Sequence, residues 1–166
     1  MAKKRIEEDL EREDEILDEE FEEEIDDIED FDQFGLAKVS LNGMENFICE
    51  DGYPLTNKWY DYCRGFNNAG VCLVEIDEHY NYINLNGEEL SDINFDNLLE
   101  FKAGHSWGQL DDKWALITEE GRMTEKWFDD FSDDYKGHAV ATSDGIKYVV
   151  NTTTGQFSPL QGQWKR

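Results

Sequence analysis

The sequence is short of basic residues and of long apolar runs, and each shortage excludes a class of protein. It has 15 lysines and arginines against 40 acidic residues, which leaves a net charge of −25. A chain this acidic repels phosphate groups, so we predict neither direct nucleic-acid binding nor binding to an anionic membrane surface. No apolar run approaches the roughly 18 residues that a transmembrane helix requires.

Cysteine is also scarce, with an odd count and no Cys-x-x-Cys pair: Cys49, Cys63 and Cys72. This pattern fits reduced thiols better than a disulfide framework. The basic start of the chain is followed by acidic residues and not by the apolar stretch of a signal peptide. We therefore predict a cytoplasmic protein.

Motifs that carry chemistry are missing as well. The sequence contains no G-x-x-x-x-G-K-[ST] phosphate loop and no H-E-x-x-H metal helix. Acidic pairs such as Asp111-Asp112 and Asp129-Asp130 fit solvated turns better than the oxygen ladder of a calcium loop. His105 and His138 each follow a glycine of one repeating series, which favours a structural or surface role. We predict no enzyme, no cofactor and no metal site.

Residues 1–33 differ in composition from the rest of the chain. They hold 18 acidic and 4 basic side chains, without any glycine or proline. At 100° per residue, seven apolar side chains fall on one face, which predicts an amphipathic acidic α-helix. They are Ile6, Leu10, Leu17, Phe21, Ile25, Ile28 and Phe31.

Two interpretations of this segment remain open. Crowded like charges at i, i+4 spacing oppose a helix and favour a solvated acidic tail. The regular apolar stripe favours a helix that docks, either on the chain's own β region or on a partner. Among the stripe residues, we name Phe21, Ile25 and Ile28 as candidate contacts.

Residues 34–166 repeat with a period of about 34 residues. One glycine series is Gly35, Gly70, Gly104 and Gly137, and a second is Gly52, Gly87, Gly121 and Gly155. The two series keep an offset of 17 or 18 residues throughout. Four units with two matching markers indicate a repeat architecture. We number repeats 1 to 4 by the glycines of the second series.

Each repeat has the pattern of a β-hairpin, then a glycine turn, then an aromatic segment. In repeat 1, a strand at 36–41 is followed by the tight-turn pair Asn42-Gly43 and a second strand. An aromatic-Asp step follows the glycine turn in three repeats, at Tyr60-Asp61, Phe95-Asp96 and Phe128-Asp129. We predict a mainly β domain of tandem antiparallel hairpins over 34–166, preceded by the helix or tail over 1–33.

This unit resembles the WG-repeat (WG-containing beta-repeat) family over roughly residues 31–160. The naming Trp-Gly pair is eroded: its Trp position holds Glu45, Tyr80, Trp114 and Tyr148, and its Gly position holds Asn46, Asn81, Ala115 and Val149. The pair Trp107-Gly108 lies elsewhere in the unit. The resemblance implies a β-rich repeat protein of bacteria or their phages with a general binding role, and no catalytic residues or cofactor.

The resulting functional hypothesis is a non-catalytic module that binds a protein partner through aromatic side chains. Trp and Tyr are favoured as interface anchors. The candidates in the repeat region are Trp59, Tyr60, Trp107, Trp127 and Phe128, of which at least half are expected to belong to the core. Two alternatives are an acidic inhibitor that mimics nucleic acid on a basic host protein, and a structural or assembly subunit.

Overall fold

The computed structural model describes residues 25–132 and 136–160, and within these ranges the chain is all β without a helix. In the described residues, thirteen strands form four separate antiparallel sheets. The strands are β1 (Ile25–Ile28), β2 (Leu36–Leu41), β3 (Met44–Cys49), β4 (Tyr62–Phe66), β5 (Cys72–Ile76), β6 (His79–Ile83), β7 (Asn97–Leu98), β8 (His105–Leu110), β9 (Lys113–Thr118), β10 (Asp130–Phe131), β11 (His138–Ser143), β12 (Ile146–Asn151) and β13 (Phe157–Pro159).

The four predicted hairpins are confirmed as β2–β3, β5–β6, β8–β9 and β11–β12. Each turn has two central residues with positive φ, the geometry of a type I′ turn, whose twist matches that of the strands. In repeat 1 these are Asn42 and Gly43, with φ of 55° and 79°. The same conformation is held in repeat 2 by Asp77 and Glu78, with φ of 53° and 65°.

Each hairpin receives its outer strand from the chain that precedes it. The sheets have the orders β1-β2-β3, β4-β5-β6, β7-β8-β9 and β10-β11-β12-β13. β4, β7 and β10 follow the aromatic-Asp steps directly, so the end of one repeat begins the sheet of the next. Isolated hairpins are marginal in water, and the added strand gives each one the minimum of three.

The aspartate of each aromatic-Asp step accepts a hydrogen bond from the next hairpin turn. The Oδ2 atom of Asp61 accepts from the backbone N–H of Asp77 at 2.8 Å. Asp96 accepts from Asp111 at 2.9 Å. Asp129 accepts from the turn residue Asp144 at the same distance of 2.9 Å. These exposed carboxylates therefore fix the hairpin turn against the supplied outer strand.

The helix predicted over 1–33 is wrong for residues 25–33, and residues 1–24 lie outside the described ranges. Ile25 to Ile28 form β1, which pairs with β2 through a bulge. Because of the bulge, residues 25 and 28 pair with Leu41 and Val39, which are only two positions apart. An i, i+3 spacing that is typical of a helix therefore also fits a bulged strand.

The second glycine series allows successive repeats to approach closely at the glycine turn. A Cβ atom on Gly87, where φ is +81°, would lie 2.5 Å from the carbonyl oxygen of Leu55. At Gly121 the same atom would lie 2.8 Å from the carbonyl oxygen of Leu90. A side chain at either position would collide with backbone, which explains why glycine recurs there.

The chain divides into two compact units, residues 1–78 with 82–89 and residues 79–81 with 90–166. The core of the first unit contains Tyr60, Ile83, Val74 and the thiols of Cys63 and Cys72. The core of the second unit is built largely of rings, with Trp107 and Phe128 buried among further aromatic side chains. These are Trp114, Phe131, Tyr148 and Phe157.

Candidate partner-binding surface

The aromatic segment of repeats 1, 2 and 3 is held against its own hairpin by a pair of backbone hydrogen bonds. Tyr60 exchanges both N–H···O=C bonds with Glu45, at 2.9 and 2.7 Å. Phe95 and Tyr80 do the same, as do Phe128 and Trp114. Because side chains alternate along an extended segment, a ring that points into the core leaves its two neighbours facing outward.

Three of the five aromatic candidates are core residues. Tyr60 and Phe128 have exposed fractions of 1% and 0%, and Trp107 is buried as well, at 4%. The ring of Trp107 is stacked on Phe131, with the centroids 4.2 Å apart. These three side chains cannot contact a partner. Of the five aromatic candidates, the half-buried Trp59 and Trp127 remain.

Trp59 and Ile28 are brought together on one side of the first sheet. Both are half-buried, and both pack against the buried pair Val39 and Ile48. Trp59 precedes Tyr60 on the aromatic segment, and Ile28 ends β1. Trp59 and Ile28 thus form one half-buried apolar patch. Phe21 and the side chain of Ile25 lie outside the described residues.

Trp127 occupies in repeat 3 the position that Trp59 has in repeat 1. It precedes the buried Phe128, is half-buried, and packs against Phe95 with the ring centroids 6.2 Å apart. Repeat 2 has an exposed Asn94 at this position. Repeats 1 and 3 thus present a half-buried tryptophan next to a residue whose backbone is held by two hydrogen bonds, while repeat 2 has no ring at this position.

A lysine precedes each of these tryptophans. Lys58 lies 3.0 Å from a carboxylate oxygen of Glu89, and the hydroxyl of Tyr60 donates to the same oxygen at 2.9 Å. Burial and this hydrogen bond raise the pKa of Tyr60 well above its usual range. Lys126 lies over the ring of Tyr148. Both lysines are thus engaged in local contacts.

Buried amides occupy the predicted Gly position of the repeat in two hairpins. The Nδ2 atom of Asn46 donates to the carbonyl of Thr56 at 2.7 Å, and Asn81 donates to the carbonyl of Ser91 at 2.8 Å. Both asparagines are buried. Each amide therefore ties its hairpin to the segment beyond the glycine turn, a bond that sequence reasoning missed.

The three cysteines, all within the described residues, are free thiols. Cys63 and Cys72 are fully buried, and the interaction between the two thiols raises the pKa of Cys63 and lowers that of Cys72. Cys49 is half-buried, and its pKa is raised by burial and by the nearby Asp51. Across residues 25–132 and 136–160, no three His, Cys, Asp or Glu side chains are grouped to hold a metal ion. The same ranges contain no helix of the length and apolarity needed to cross a membrane.

Comparison with known families matches residues 82–114 to the model of the "WG containing repeat". Residues 82–114 are thus similar to one WG repeat. The match runs from β6 through β7 and β8 into β9, and it confirms the predicted resemblance to the WG-repeat family. No curated protein matches the chain significantly.

The Trp-Gly pair inside the matched WG repeat has a packing role. Gly108 lies on β8, where a Cβ atom would stand 2.6 Å from two ring atoms of Phe95. Glycine at this position makes room for the buried ring of the aromatic-Asp step. The preceding Trp107 lies among the rings of the second compact unit.

Several solved structures are similar to the chain at low sequence identity. Hsv2 of Kluyveromyces lactis is 11% identical with a TM-score of 0.37, over 82% of this chain and 49% of its own. A Bacteroides caccae protein of unknown function is 13% identical with a TM-score of 0.33, over 84% and 61%. PorZ of Porphyromonas gingivalis is 8% identical with a TM-score of 0.37, over 83% and 22%. The chain thus spans less than two thirds of each of these structures.

Proposed function

We propose that this chain is a non-catalytic, cytoplasmic protein-binding module that uses its half-buried tryptophans to contact a basic protein partner. The observation that carries the proposal is the repetition of one arrangement in repeats 1 and 3. Trp59 and Trp127 each stand beside a fully buried ring on a segment held by two backbone hydrogen bonds. A tryptophan held in this way loses little side-chain entropy on binding, which is the property of an interface anchor.

Charge specifies the class of partner. The chain has a net charge of −25, and residues 1–33 alone contribute −14. Complementary charge steers association and selects the partner, so a protein with a basic surface fits this module. Electrostatic attraction between exposed groups weakens as salt shortens the screening length from about 10 Å at 0.1 M to about 3 Å at 1 M.

The test is affinity capture from the native cell, with the full chain as bait and salt as a variable. We expect Trp59→Ala and Trp127→Ala each to weaken capture about tenfold or more, as loss of a hot-spot residue does. Asn94→Ala is the matched control, because it changes the same repeat position where no ring is present. Equal capture by all three variants would contradict the proposal.

Mimicry of nucleic acid by the acidic surface is the second candidate function, and the density of carboxylates in residues 1–33 favours it. In that case charge and not tryptophan would dominate binding. Capture would disappear at about 0.5 M salt and survive both tryptophan substitutions. Deletion of residues 1–24, which leaves β1 in place, would abolish it. If that deletion instead dissociates an oligomer of the chain, the assembly function is favoured.

A further inference from the structure

Within each compact unit, successive sheets share a core between their facing surfaces. In the first unit, Leu36 and Phe47 of repeat 1 lie in one hydrophobic cluster with Cys72 and Val74 of β5. In the second unit, Trp107 of repeat 3 is clustered in the same way with two alanines of β11. Each of these repeats thus covers one face of the sheet that follows it. We call the covered face the leading face, which carries Cys72 and Val74 in repeat 2.

The leading face of repeat 1 has no preceding sheet within the described residues, because β1 is their first strand. The register of β2 and β3 gives this face five apolar side chains, Ala37, Val39, Leu41, Met44 and Ile48. All five are buried or half-buried, and Val39 and Ile48 have exposed fractions of 1% and 0%. The described apolar side chains that pack against this pair are the half-buried Ile28 and Trp59. A hydrophobic sheet face must be buried against a further element of the structure, so this face requires a larger cover.

The other end of the repeat series has a different surface. The face of repeat 4 that is turned away from repeat 3 is polar, with the exposed His138 and Lys147 on either side of the half-buried pair Val140 and Val149. A terminal repeat with a polar outer face can end an array in water without a cover. The leading face of repeat 1 is apolar, and its core therefore requires a segment from outside the repeats.

The segment that precedes β1 matches this face in polarity and size. Residues 1–24 lead directly into β1, which is itself a strand of the first sheet. Their predicted apolar stripe consists of Ile6, Leu10, Leu17 and Phe21. In a helix, residues 6–21 would span about 22 Å, which is close to the roughly 20 Å of a strand of six residues. A helix about 10 Å in diameter also matches the width of three strands that lie about 4.8 Å apart.

We propose that residues 1–24 cover the leading face of repeat 1 in the same chain. The stripe side chains contact Val39, Leu41 and Met44, in the place that a preceding sheet takes in repeats 2 and 4. The many carboxylates of the segment lie on its opposite side, where they stay in water and avoid the cost of burying a charge. The acidic segment is thus the cap of the repeat series, and this role does not depend on the protein partner.

Methyl NMR of the full chain tests the contact directly. In a sample with labelled Leu, Val and Met methyl groups, we expect NOEs from Leu10 and Leu17 to Val39, Leu41 and Met44. A folded chain without these NOEs would overturn the proposal. NOEs that arise only between differently labelled copies in a mixed sample would place the segment of a second copy on this face, which would also overturn it.

Point substitutions measure the contribution of the stripe, since deletion of residues 1–24 would also remove their acidic charge. Leu17→Ala truncates a stripe residue and should lower the unfolding temperature of the full chain by about 5 °C or more. Ile16→Ala is the matched control, because Ile16 is the neighbouring apolar residue that lies off the stripe, and it should leave the unfolding temperature unchanged. An unchanged unfolding temperature in Leu17→Ala, or equal losses in both variants, would contradict the proposed cap.

Discussion

The two compact units use one backbone pattern and fill it with different side chains. The core of the first unit combines aliphatic residues, two thiols and the buried rings of Phe47 and Tyr60, and Tyr60 keeps a polar contact through its hydroxyl to Glu89. The core of the second unit has no thiol and a larger set of interlocking rings, in which Phe128 contacts Trp107, Tyr148 and Phe157. The backbone pairings therefore fix the repeat, while the choice of core side chains is free as long as the space is filled.

The units also differ in how closely the glycine turns approach neighbouring backbone. The nearest backbone atom to a Cβ on Gly87, in the first unit, is 2.5 Å away. In the second unit the distances are 2.8 Å at Gly121 and 3.5 Å at Gly155. The steric constraint that requires glycine therefore becomes weaker from Gly87 to Gly155, although φ is positive at all three positions.

The largest effect is expected from truncation of the ring core in the second unit. Phe128→Ala removes a fully buried side chain with three ring contacts and should lower the free energy of unfolding by about 3–5 kcal/mol. Trp127→Ala, at the adjacent half-buried position, should cost only about 1–2 kcal/mol. Urea denaturation of both variants measures the difference. Equal losses would mean that the core does not depend on its rings.

The glycine turns provide a graded comparison of intermediate size. Each alanine carries the strain of positive φ, about 1–2 kcal/mol, and Gly87→Ala adds a collision with the Leu55 carbonyl. We expect destabilisation to decrease from Gly87→Ala through Gly121→Ala to Gly155→Ala. Gly145→Ala is the control, since φ there is +80° and no atom lies within 4 Å of a Cβ. Equal losses of unfolding free energy in all four variants would show that the distance to neighbouring backbone does not determine the need for glycine.

The smallest effect is expected at the exposed pair Lys113 and Asp129. The Lys113 ammonium and the N–H of Asp144 lower the pKa of Asp129, and the contact raises the pKa of Lys113. Stability from Asp129 is therefore present above its unfolded pKa and disappears as pH falls through the lower folded pKa. Asp129→Asn should be slightly less stable than wild type at about pH 7, and this difference should disappear as pH falls through the lowered pKa of Asp129. If the difference in stability between wild type and Asp129→Asn persists in acid, the charge of Asp129 is not its cause.

Much of the hairpin architecture could be predicted from the sequence because tight turns have strong local signals. The pair Asn42-Gly43 predicts a tight turn with two residues of positive φ, which the structure has. The period of the glycines then predicts a hairpin at the equivalent place in repeats 2, 3 and 4. The supply of each outer strand by the preceding repeat was missed, because β7 and β10 are only two residues long. A signal was available: Asp61, Asp96 and Asp129 each precede a turn acidic residue by 15 or 16 positions.

Burial of polar residues was less predictable. Asn46 and Asn81 are polar by type, and only the fold brings the carbonyls of Thr56 and Ser91 within reach of their amides. His105 and His138 occupy equivalent positions in the sequence, yet one is buried and the other exposed. The side of an extended segment on which each aromatic ring lies depends on backbone pairing, which periodicity alone does not specify.

The outer strand that each hairpin takes from the preceding repeat bears on how such a chain can lengthen. An inserted segment of one whole period would bring one hairpin and one outer strand, wherever in the cycle the insertion began, so every sheet would still be complete. An inserted segment of half a period would leave a hairpin without the preceding segment that supplies its outer strand. Tandem duplication is therefore compatible with the fold in steps of about 34 residues. The number of repeats can then change while each hairpin still pairs with an outer strand from the repeat before it.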